Sequence, residues 1–353
     1  MGQGRRAMRF SIYLPIWRDL SDPVPLRKTF EFVRLAEELG FDTATQGHHH
    51  FLMGNFSDPL TFLAALTGIT SRLRFSTTIF QLPFHNPLRV AEQVAVIDQL
   101  SGGRAGIGVG TGWRELEYEA YGARYADRGA RMEEALQIMK LLWTQENVSF
   151  QGRFTSFPEL TLHPRPIQQP NPPLWVAGGV KAAIERAARL GDAWLCGPVE
   201  SHDTILAMKR IYDAKCAELG RPADWVLRRY AWISEDDEAI EKEVLPEYID
   251  GLLDHWRESN RDHDRAELLH RIDVLGEPVP VREIADARLL WGSPDRVIAQ
   301  IRHLQAETGI DHLILGFGTG LPMRSRLNQS FGSFEEMSRM VRLFAREVMP
   351  AFR

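Results

Sequence analysis

FDTATQGHHHF, at residues 41–51, is the stretch from which both the fold and the chemistry of this chain can be inferred. Phe41, Thr43 and Thr45 alternate along it, and aromatic and β-branched residues at that spacing predict a buried strand. Three adjacent histidines follow at 48–50. Imidazole titrates near neutral pH, and α/β enzymes keep their chemistry at the carboxyl ends of strands. A surface histidine run or an adventitious metal patch is the alternative, so the surrounding chain has to decide.

On both sides of this stretch, β-rich runs alternate with runs whose apolar residues recur at helical spacing. We predict strands at 9–15, 41–46, 73–81, 105–109, 173–177, 193–196, 226–233 and 312–317. We predict helices at 22–39, 59–69, 87–100, 114–143 with a break near Gly122, 180–190, 204–219, 294–308 and 334–348. This alternation predicts an α/β protein with a (β/α)8 TIM barrel, and a doubly wound open sheet is the alternative that the pattern leaves open.

Residues 234–290 do not fit the alternation. They begin with acidic side chains and continue with a mostly helical pattern, so we interpret them as an insertion after the seventh strand, serving as a lid or as an oligomer contact. A hairpin is predicted at 150–157. The expected organisation is a single barrel domain at 9–353, preceded by a disordered extension at 1–8.

The composition argues against several classes of protein. Of the 353 residues, 44% are hydrophobic, which is enough for a sizeable core. The formal net charge of -5 and a pI of about 6.1 give no reason to expect nucleic-acid or membrane binding. Cys196 and Cys216 form neither a disulfide framework nor a zinc ligand set, so we expect no metal and a reducing, cytoplasmic location. The basic segment 1–7 lacks the apolar region of a secretory signal, and Met8 is an alternative start.

A second motif, GIGVGTGW at 106–113, directly follows the fourth predicted strand. Glycine allows a flat ligand ring or a phosphate to approach the backbone closely. The spacing does not match a dinucleotide-binding fingerprint, and no clear acidic residue follows the next strand. Two interpretations therefore stand side by side, a ligand-binding loop and a strand whose glycines relieve crowding at a barrel mouth.

Two further strand ends have features of a ligand site. Gly178 and Gly179 lie between the fifth strand and the next helix, where free N–H groups and the helix dipole favour an anion. Lys181 could add charge, although the glycines taken alone favour an ordinary turn between strand and helix. The third strand ends in STTI at 76–79, with small hydroxyl-bearing residues, and a plain strand explains that pattern too.

Together these motifs resemble the bacterial-luciferase-like flavin monooxygenases, a superfamily that also contains coenzyme-F420-dependent oxidoreductases. The resemblance covers residues from about 9 to 317. The matching runs are HHF at 49–51, NPLRVAEQVAVIDQLSGGR at 86–104, GVGTGW at 108–113, YEAYG at 118–122, FQGRF at 150–154, HPRPIQQPNPPLWVAGG at 163–179 and ARLGDAWL at 188–195. The runs at 86–104 and 163–179 are specific for the superfamily, but not for the cofactor within it.

The resemblance implies a (β/α)8 barrel with an insertion and a flavin ring at its carboxyl-end mouth. A non-prolyl cis peptide is expected at Thr78–Ile79, and the ring would rest on it. The cofactor would be contacted by Thr78, Ile79, Gly110, Thr111, Gly178, Gly179 and Val180, the last three lying near its phosphate. Thr111 stands where luciferases often carry arginine, so the positive charge for the phosphate has to come from elsewhere.

The resemblance also gives roles to two histidines. His49 would be the acid or base that handles a proton of the peroxide or the substrate, and His50 would shape or polarise the pocket. A packing role is the alternative for His50. Many relatives carry glutamate before the histidine pair, where this chain has His48. The sequence therefore gives no neighbouring residue that orients His49.

The implied activity is that of a two-component monooxygenase. A separate flavin reductase supplies reduced FMN, oxygen adds at the flavin C4a, and the resulting peroxide transfers one oxygen atom to a small organic substrate. An F420-dependent oxidoreductase that transfers a hydride is the alternative, and a non-catalytic flavin-binding paralogue is a third. A homodimer is expected. An apolar pocket mouth, and hence an apolar substrate, is suggested by Trp17, Phe56, Phe80, Phe84 and Trp113.

Overall fold

The computed structural model describes residues 7–17, 21, 23–51, 56–259, 264–318 and 333–353. Most of the predicted extension, residues 1–6, lies outside the described residues, and so does Asp22, the predicted start of the first helix. Met8 is buried, and its N–H donates to the carbonyl of Phe352 over 3.4 Å. Among the described residues, none of the helices is long and apolar enough to cross a bilayer.

The elements follow the predicted alternation. The strands are β1 (Arg9–Tyr13), β2 (Thr43–Gln46), β3 (Arg74–Thr77), β4 (Phe80–Gln81), β5 (Ile107–Gly110), β6 (Val148–Gln151), β7 (Ser156–Leu160), β8 (Leu174–Ala177), β9 (Ala193–Cys196), β10 (Trp225–Ile233), β11 (Leu289–Gly292) and β12 (His312–Phe317). The helices are α1 (Arg27–Glu38), α2 (Pro59–Thr67), α3 (Pro87–Ser101), α4 (Glu115–Ala120), α5 (Arg128–Thr144), α6 (Lys181–Leu190), α7 (His202–Glu218), α8 (Asp237–Ala239), α9 (Leu245–Ser259), α10 (Asp264–Asp273), α11 (Val281–Arg288), α12 (Pro294–Thr308) and α13 (Phe334–Leu343).

The chain forms two compact units, which interleave along the sequence. The first comprises Met1–Gly40, Gly197–Lys209 and Leu227–Arg353, and the second comprises Phe41–Cys196 and Arg210–Val226. In the second unit, parallel pairing joins β2 to β3, β4 to β5, β5 to β8 and β8 to β9. In the first, it joins β1 to β12, β12 to β10 and β10 to β11.

Helices follow the parallel strands throughout, and the predicted (β/α)8 fold is confirmed. Parallel strands covered by helices have to be buried on both faces, and burial along the whole length is seen for β2, β5, β9, β11 and β12. β9, for example, reads AWLC and is buried along its whole length. Cys196 and Cys216 are both buried, as small apolar residues would be. The single-domain interpretation stays a prediction.

Two departures from the predicted elements have physical causes. The third predicted strand is interrupted by a cis peptide between Thr78 and Ile79, which separates β3 from β4. The predicted insertion at 234–290 ends in a strand, β11, that pairs in parallel with β10. β11 could not be recognised from the sequence, because its apolar residues directly continue the apolar pattern of α11. The predicted hairpin at 150–157 is present as the antiparallel pair β6–β7.

Candidate functional site

The three histidines directly follow the carboxyl end of β2, in the second unit. The N–H of Thr78 donates to the carbonyl of Gln46 over 2.9 Å, so the chain after β2 runs beside the end of β3. His48 and His50 are 2% and 4% exposed, whereas the side chain of His49 is 23% exposed. Of the three, His49 is therefore the one that a ligand can reach.

The cis peptide expected at Thr78–Ile79 is present. The hydroxyl of Thr78 donates to that of Thr45 over 3.1 Å, which ties it to β2. The side chain of Ile79 fills the space above Gly110, where a Cβ atom would lie 3.0 Å from it. The structure thus brings Thr78, Ile79 and Gly110 together near the histidines. Their contact with a cofactor stays a prediction.

His48 and His50 form a hydrogen-bonded chain that fixes their tautomers. The backbone N–H of Gln81 donates to Nδ1 of His48 over 3.2 Å, so neutral His48 carries its proton on Nε2. Nε2 of His48 lies 2.9 Å from Nε2 of His50. Because Nε2 of His48 carries a proton, Nε2 of His50 must be the acceptor of this hydrogen bond. His50 is then protonated on Nδ1, 2.8 Å from the hydroxyl of Tyr121. This places His50 in a supporting network, which favours the packing interpretation.

Burial keeps these imidazoles neutral. It lowers the pKa of His48 to about 2, with further lowering from His85, His50 and His49. Burial also lowers the pKa of His50, and that of His85 to about 4. His48, His50 and His85 could together hold a metal ion by proximity alone. However, neutral His48 offers no lone pair to a metal, because Nδ1 already accepts a hydrogen bond and Nε2 carries the proton.

His49 is oriented by Glu117, a residue that the sequence analysis missed. Nδ1 of His49 lies 3.1 Å from Oε1 of Glu117 and 3.2 Å from Nε2 of Gln81. Nε2 of His49 has no hydrogen-bond partner in the described part of the chain. A carboxylate on one ring nitrogen and a free second nitrogen is the arrangement of a general acid or base.

Glu117 is itself held in place. Its side chain is 1% exposed, and Oε1 also accepts from the backbone N–H of His50 over 2.9 Å and from Arg114 over 3.4 Å. Burial alone would raise its pKa, but the hydrogen bonds from His49, Gln81 and His50 and the charge of His49 outweigh burial and lower it. Glu117 is therefore an anion at neutral pH and can stabilise a proton on His49.

Close packing explains two of the glycines of GIGVGTGW. A Cβ atom on Gly108 would lie 2.1 Å from the carbonyl oxygen of Thr77, and one on Gly110 would contact Ile79. The interpretation that these glycines relieve crowding is therefore supported for both. Thr111 is half-buried, and its carbonyl accepts a hydrogen bond from the hydroxyl of Tyr118. Whether Gly110 and Thr111 contact a cofactor is not decided by this packing.

The predicted phosphate site lies at the start of α6. A Cβ atom on Gly178 would lie 2.5 Å from that of Ala183, so Gly178 is needed for close packing of the helix start. Gly179 and Val180 are exposed. The first N–H in this turn with a described acceptor is that of Ala183, bonded to the carbonyl of Val180. The N–H groups of Gly179, Val180 and Lys181 have no acceptor in the described part of the chain.

The five aromatic residues predicted at a pocket mouth divide into two groups. Trp17 packs on Phe32 in the first unit, Phe56 stacks on Phe62, and Phe80 is 3% exposed, so these three are packing residues. Phe84 stacks on Tyr121, and Trp113 lies edge-on to His49, with 6.3 Å between the ring centres. Phe84 and Trp113 thus border the histidines.

Four residues at this site were not predicted: Gln81, His85, Glu117 and Tyr121. Glu117 and Tyr121 border or lie within YEAYG at 118–122, which was recognised only as part of the resemblance. A glutamate one residue before that motif was the available signal for Glu117. Neither Gln81 nor His85 has a local signal, because each reaches the histidines only through the bend that follows the cis peptide.

The family model described as luciferase-like monooxygenase matches residues 8–312. The oxygenase component of flavin-dependent trigonelline monooxygenase from Acinetobacter baylyi is 27% identical over 362 residues, covering 98% of this chain and 96% of that protein. The FMNH2-dependent dimethylsulfone monooxygenase of Pseudomonas putida is 28% identical over 302 residues, covering 81% of this chain and 82% of that protein.

Solved structures are similar over the whole chain. The crystal structure of monooxygenase RslO1 from Streptomyces bottropensis has a TM-score of 0.76 and 26% identity, with 98% of this chain and 100% of that one covered. An F420-dependent secondary alcohol dehydrogenase, in complex with an F420–acetone adduct, has a TM-score of 0.73 and 18% identity, with 99% and 100% covered. The second similarity concerns the fold alone.

Proposed function

The chain belongs to the luciferase-like monooxygenase family, and from that premise we propose that it is the oxygenase of a two-component pair that uses reduced FMN and oxygen to oxidise a small organic substrate. The observation on which this proposal mainly rests is the His49–Glu117 pair beside the cis peptide at Thr78–Ile79. The relatives named as an oxygenase component and as FMNH2-dependent support the flavin, and by the same reasoning a separate reductase as partner.

Buried atoms near the strand ends support a flavin ring in this place. Four buried oxygen atoms have no hydrogen-bond partner among the described residues: Oε1 of Gln46, Oγ of Ser76, Oε1 of Gln81 and Oε2 of Glu117. Buried polar atoms without partners are rare in native proteins, and a ligand commonly supplies the missing bonds. A flavin ring carries both N–H donors and carbonyl acceptors, so it suits this mixture of amide, hydroxyl and carboxylate oxygens.

The start of α6 suits the FMN phosphate. The N–H groups of Gly179, Val180 and Lys181 have no described acceptor, and the dipole of the ten-residue helix favours an anion at this end. The pairing of Val109 with Val176 makes Thr111, two residues further on, level with Gly178. The hydroxyl of Thr111 can therefore contribute a neutral hydrogen bond where luciferases often place arginine.

Bound reduced FMN supplies the electrons for the reaction with oxygen. The chain contributes a proton carrier, because Nε2 of His49 is free while Nδ1 is held by Glu117. Trp113 lies edge-on to His49, and Phe84 contacts the neighbouring His50, so aromatic rings border this position. An acid or base placed in this way contributes about 100- to 10,000-fold to a rate.

The proposal is tested by titrating the purified protein with FMN, reduced FMN and reduced F420, followed by oxygen uptake with each reduced cofactor. We expect reduced FMN to bind most tightly and to support oxygen consumption when a flavin reductase regenerates it. Hydride transfer to or from F420 without oxygen consumption would contradict the proposal and favour the F420-dependent alternative. Binding of flavin without turnover across a substrate panel would favour a non-catalytic paralogue.

A further inference from the structure

The inserted segment contains a hydrophobic core that buries charged side chains. The core residues come from the π-helical segment Ile240–Val244 and from α9, α11 and β11: Ile240, Leu245, Tyr248, Ile249, Leu252, Leu253, Trp256, Ile284, Ala285, Leu289 and Trp291. Two arginines pack on the ring of Trp256. Arg265 is 1% exposed and Arg288 is 5% exposed. A buried guanidinium is unfavourable unless acceptors surround it, so its hydrogen bonds have to be accounted for.

Some N–H donors of Arg265 have no acceptor in the described part of the chain. Its Nη2 donates to a carboxylate oxygen of Glu200, which is 8% exposed. Its Nε and Nη1 are buried and have no hydrogen-bond partner within the part of the chain that the structure describes. A guanidinium carries five N–H groups in a planar fork, and this fork matches the two oxygens of an oxyanion. Glu200 satisfies only one edge of it.

The indole beside Arg265 also lacks an acceptor. Nε1 of Trp256 is buried and has no hydrogen-bond partner among the described residues. Trp256 lies on α9, and its ring centre is 5.6 Å from Cζ of Arg265. An indole N–H can only donate, and so can a guanidinium. The missing partner of these two side chains is therefore an acceptor with more than one oxygen.

A second guanidinium adds positive charge beside these donors. Cζ of Arg288 lies 4.9 Å from the ring centre of Trp256, the same ring that Arg265 contacts. Positive charge of this kind favours an anionic acceptor over a neutral one.

We propose that the inserted segment holds an oxyanion-binding site, in which Arg265 and Trp256 donate hydrogen bonds to a carboxylate, sulfonate or phosphate group. The site lies within the first unit and is independent of the proposed flavin chemistry. The oxyanion is either a free inorganic ion or the charged group of an organic molecule. Buried water is the competing explanation, because water also accepts hydrogen bonds but carries no charge.

The test is calorimetric titration with inorganic phosphate and, separately, with benzoate, at constant ionic strength set with chloride. It is carried out in a Gly179→Val background, so that the proposed phosphate site at α6 does not contribute. We expect saturable binding and a raised unfolding temperature. Phosphate binding alone would identify an inorganic ligand, and benzoate binding alone an organic one.

The decisive variant is Arg265→Met combined with Glu200→Gln, which removes the buried pair as a whole and leaves no unpaired charge. We expect it to weaken anion binding by at least about tenfold, since hydrogen bonds to a charged group are lost. Arg271→Met is the matched control on the same helix, because Arg271 is exposed and pairs with Glu277. It should bind the anion like the parent protein.

Trp256→Phe provides a second measurement that does not depend on the folding of the double variant. It removes the indole N–H and keeps an aromatic ring in the core. We expect weaker anion binding at a temperature at which circular dichroism shows the variant to be folded. No saturable binding of either anion, or equal binding by the parent, the double variant and Trp256→Phe, would overturn the proposal and leave water as the partner. FMN titration is read separately and tests only the proposed function.

Discussion

At the scale of single residues, burial gives three adjacent histidines different chemistry. His48 and His50 are enclosed, and their lowered pKa values keep both neutral. His49 differs because its ring touches the carboxylate of Glu117 on one side and has a free nitrogen on the other. A carboxylate partner stabilises the imidazolium that forms when His49 takes up a proton. His49 is therefore the one histidine of the three that is placed to exchange a proton with a ligand.

His49→Ala should lower turnover by about 100- to 10,000-fold, the usual contribution of a general acid or base. Folding and flavin binding should stay near wild type, because the His48–His50 chain does not pass through His49. The measurements are oxygen uptake, circular dichroism and flavin fluorescence titration. Turnover within about threefold of wild type would remove His49 from the mechanism.

Glu117→Gln tests whether Glu117 acts through His49. The single variant should lower turnover by at least about tenfold, since the amide carries no charge to stabilise a proton on His49. In the His49→Ala background the same change should have almost no further effect on turnover, because residues that act as a unit are not additive. Full additivity in this double-mutant cycle would mean that Glu117 serves only the fold.

The buried histidines also predict a pH dependence of stability. The pKa of His85 is lowered from 6.5 to about 4 in the folded protein, chiefly by burial and then by His50, with Asp58 acting in the opposite direction. Between these values the unfolded chain is protonated at this position and the folded protein is not. The stabilisation is therefore complete above pH 6.5 and is lost as pH falls towards 4.

His85→Phe removes this titration and keeps a ring in contact with Phe80. The free energy of unfolding should then fall less steeply below pH 6.5, by up to about 1.4 kcal/mol per pH unit. Urea unfolding between pH 4.5 and 7.5 measures the slope, with conditions set around the two pKa values. His163→Gln, at an exposed position, is the control and should leave the slope unchanged. Equal slopes for wild type and His85→Phe would contradict the assignment.

At the scale of elements, the start of α6 carries a test of the phosphate site. Gly179→Val should weaken binding of FMN much more than binding of riboflavin, because only FMN has the phosphate and a side chain would obstruct the free N–H groups. A site built from N–H groups should also show only a modest salt dependence. Fluorescence titration of both ligands at low and high salt measures this.

The matched control is Gly68→Val, since a Cβ atom on Gly68 would meet nothing within 4 Å. It should change neither affinity. Gly178 is unsuitable for the test because its side chain would collide with Ala183 and disturb the helix itself. Equal loss of FMN and riboflavin binding in Gly179→Val would place the phosphate elsewhere.

Elements with a regular apolar pattern were predictable from the sequence, and their ends follow local chemistry. α12 and β12 have the predicted bounds, and α3 is one residue longer than predicted. α3 begins at Pro87, after an asparagine cap, and ends at Ser101, before Gly102, which has a left-handed backbone. The cis peptide was predictable only through the resemblance, since no residue at Thr78–Ile79 demands it.

The polar partners at the site were not predictable, because they join distant parts of the chain. His49 and Glu117 are 68 residues apart, and Tyr121 and His50 are 71 apart. Local periodicity shows which face of an element is buried, but not which polar group another element places against it. The same holds for Arg265 and Glu200, whose pairing crosses 65 residues. Such contacts follow from the packed fold alone.

At the scale of the whole molecule, the expected homodimer remains to be tested. α3 exposes two large apolar side chains, Val96 at 41% and Leu100 at 61%. Residues four apart lie on the same side of a helix, so the two form one patch. The inserted segment exposes a second pair, Val274 at 68% and Leu275 at 60%. Exposed apolar patches commonly mark protein interfaces. Each of the two pairs therefore predicts a different dimer interface, one through α3 and one through the inserted segment.

Val96→Glu with Leu100→Glu should convert a dimer into a monomer, because an unpaired carboxylate buried in an apolar interface is strongly unfavourable. Light scattering after size exclusion should give about twice the chain mass of 40.2 kDa for wild type and about that mass for the variant. Val274→Glu with Leu275→Glu is the matched control and should stay dimeric. If only the second variant dissociates, α3 is excluded and the inserted segment is the oligomer contact that its sequence pattern allowed. A wild-type mass of one chain would contradict the homodimer itself.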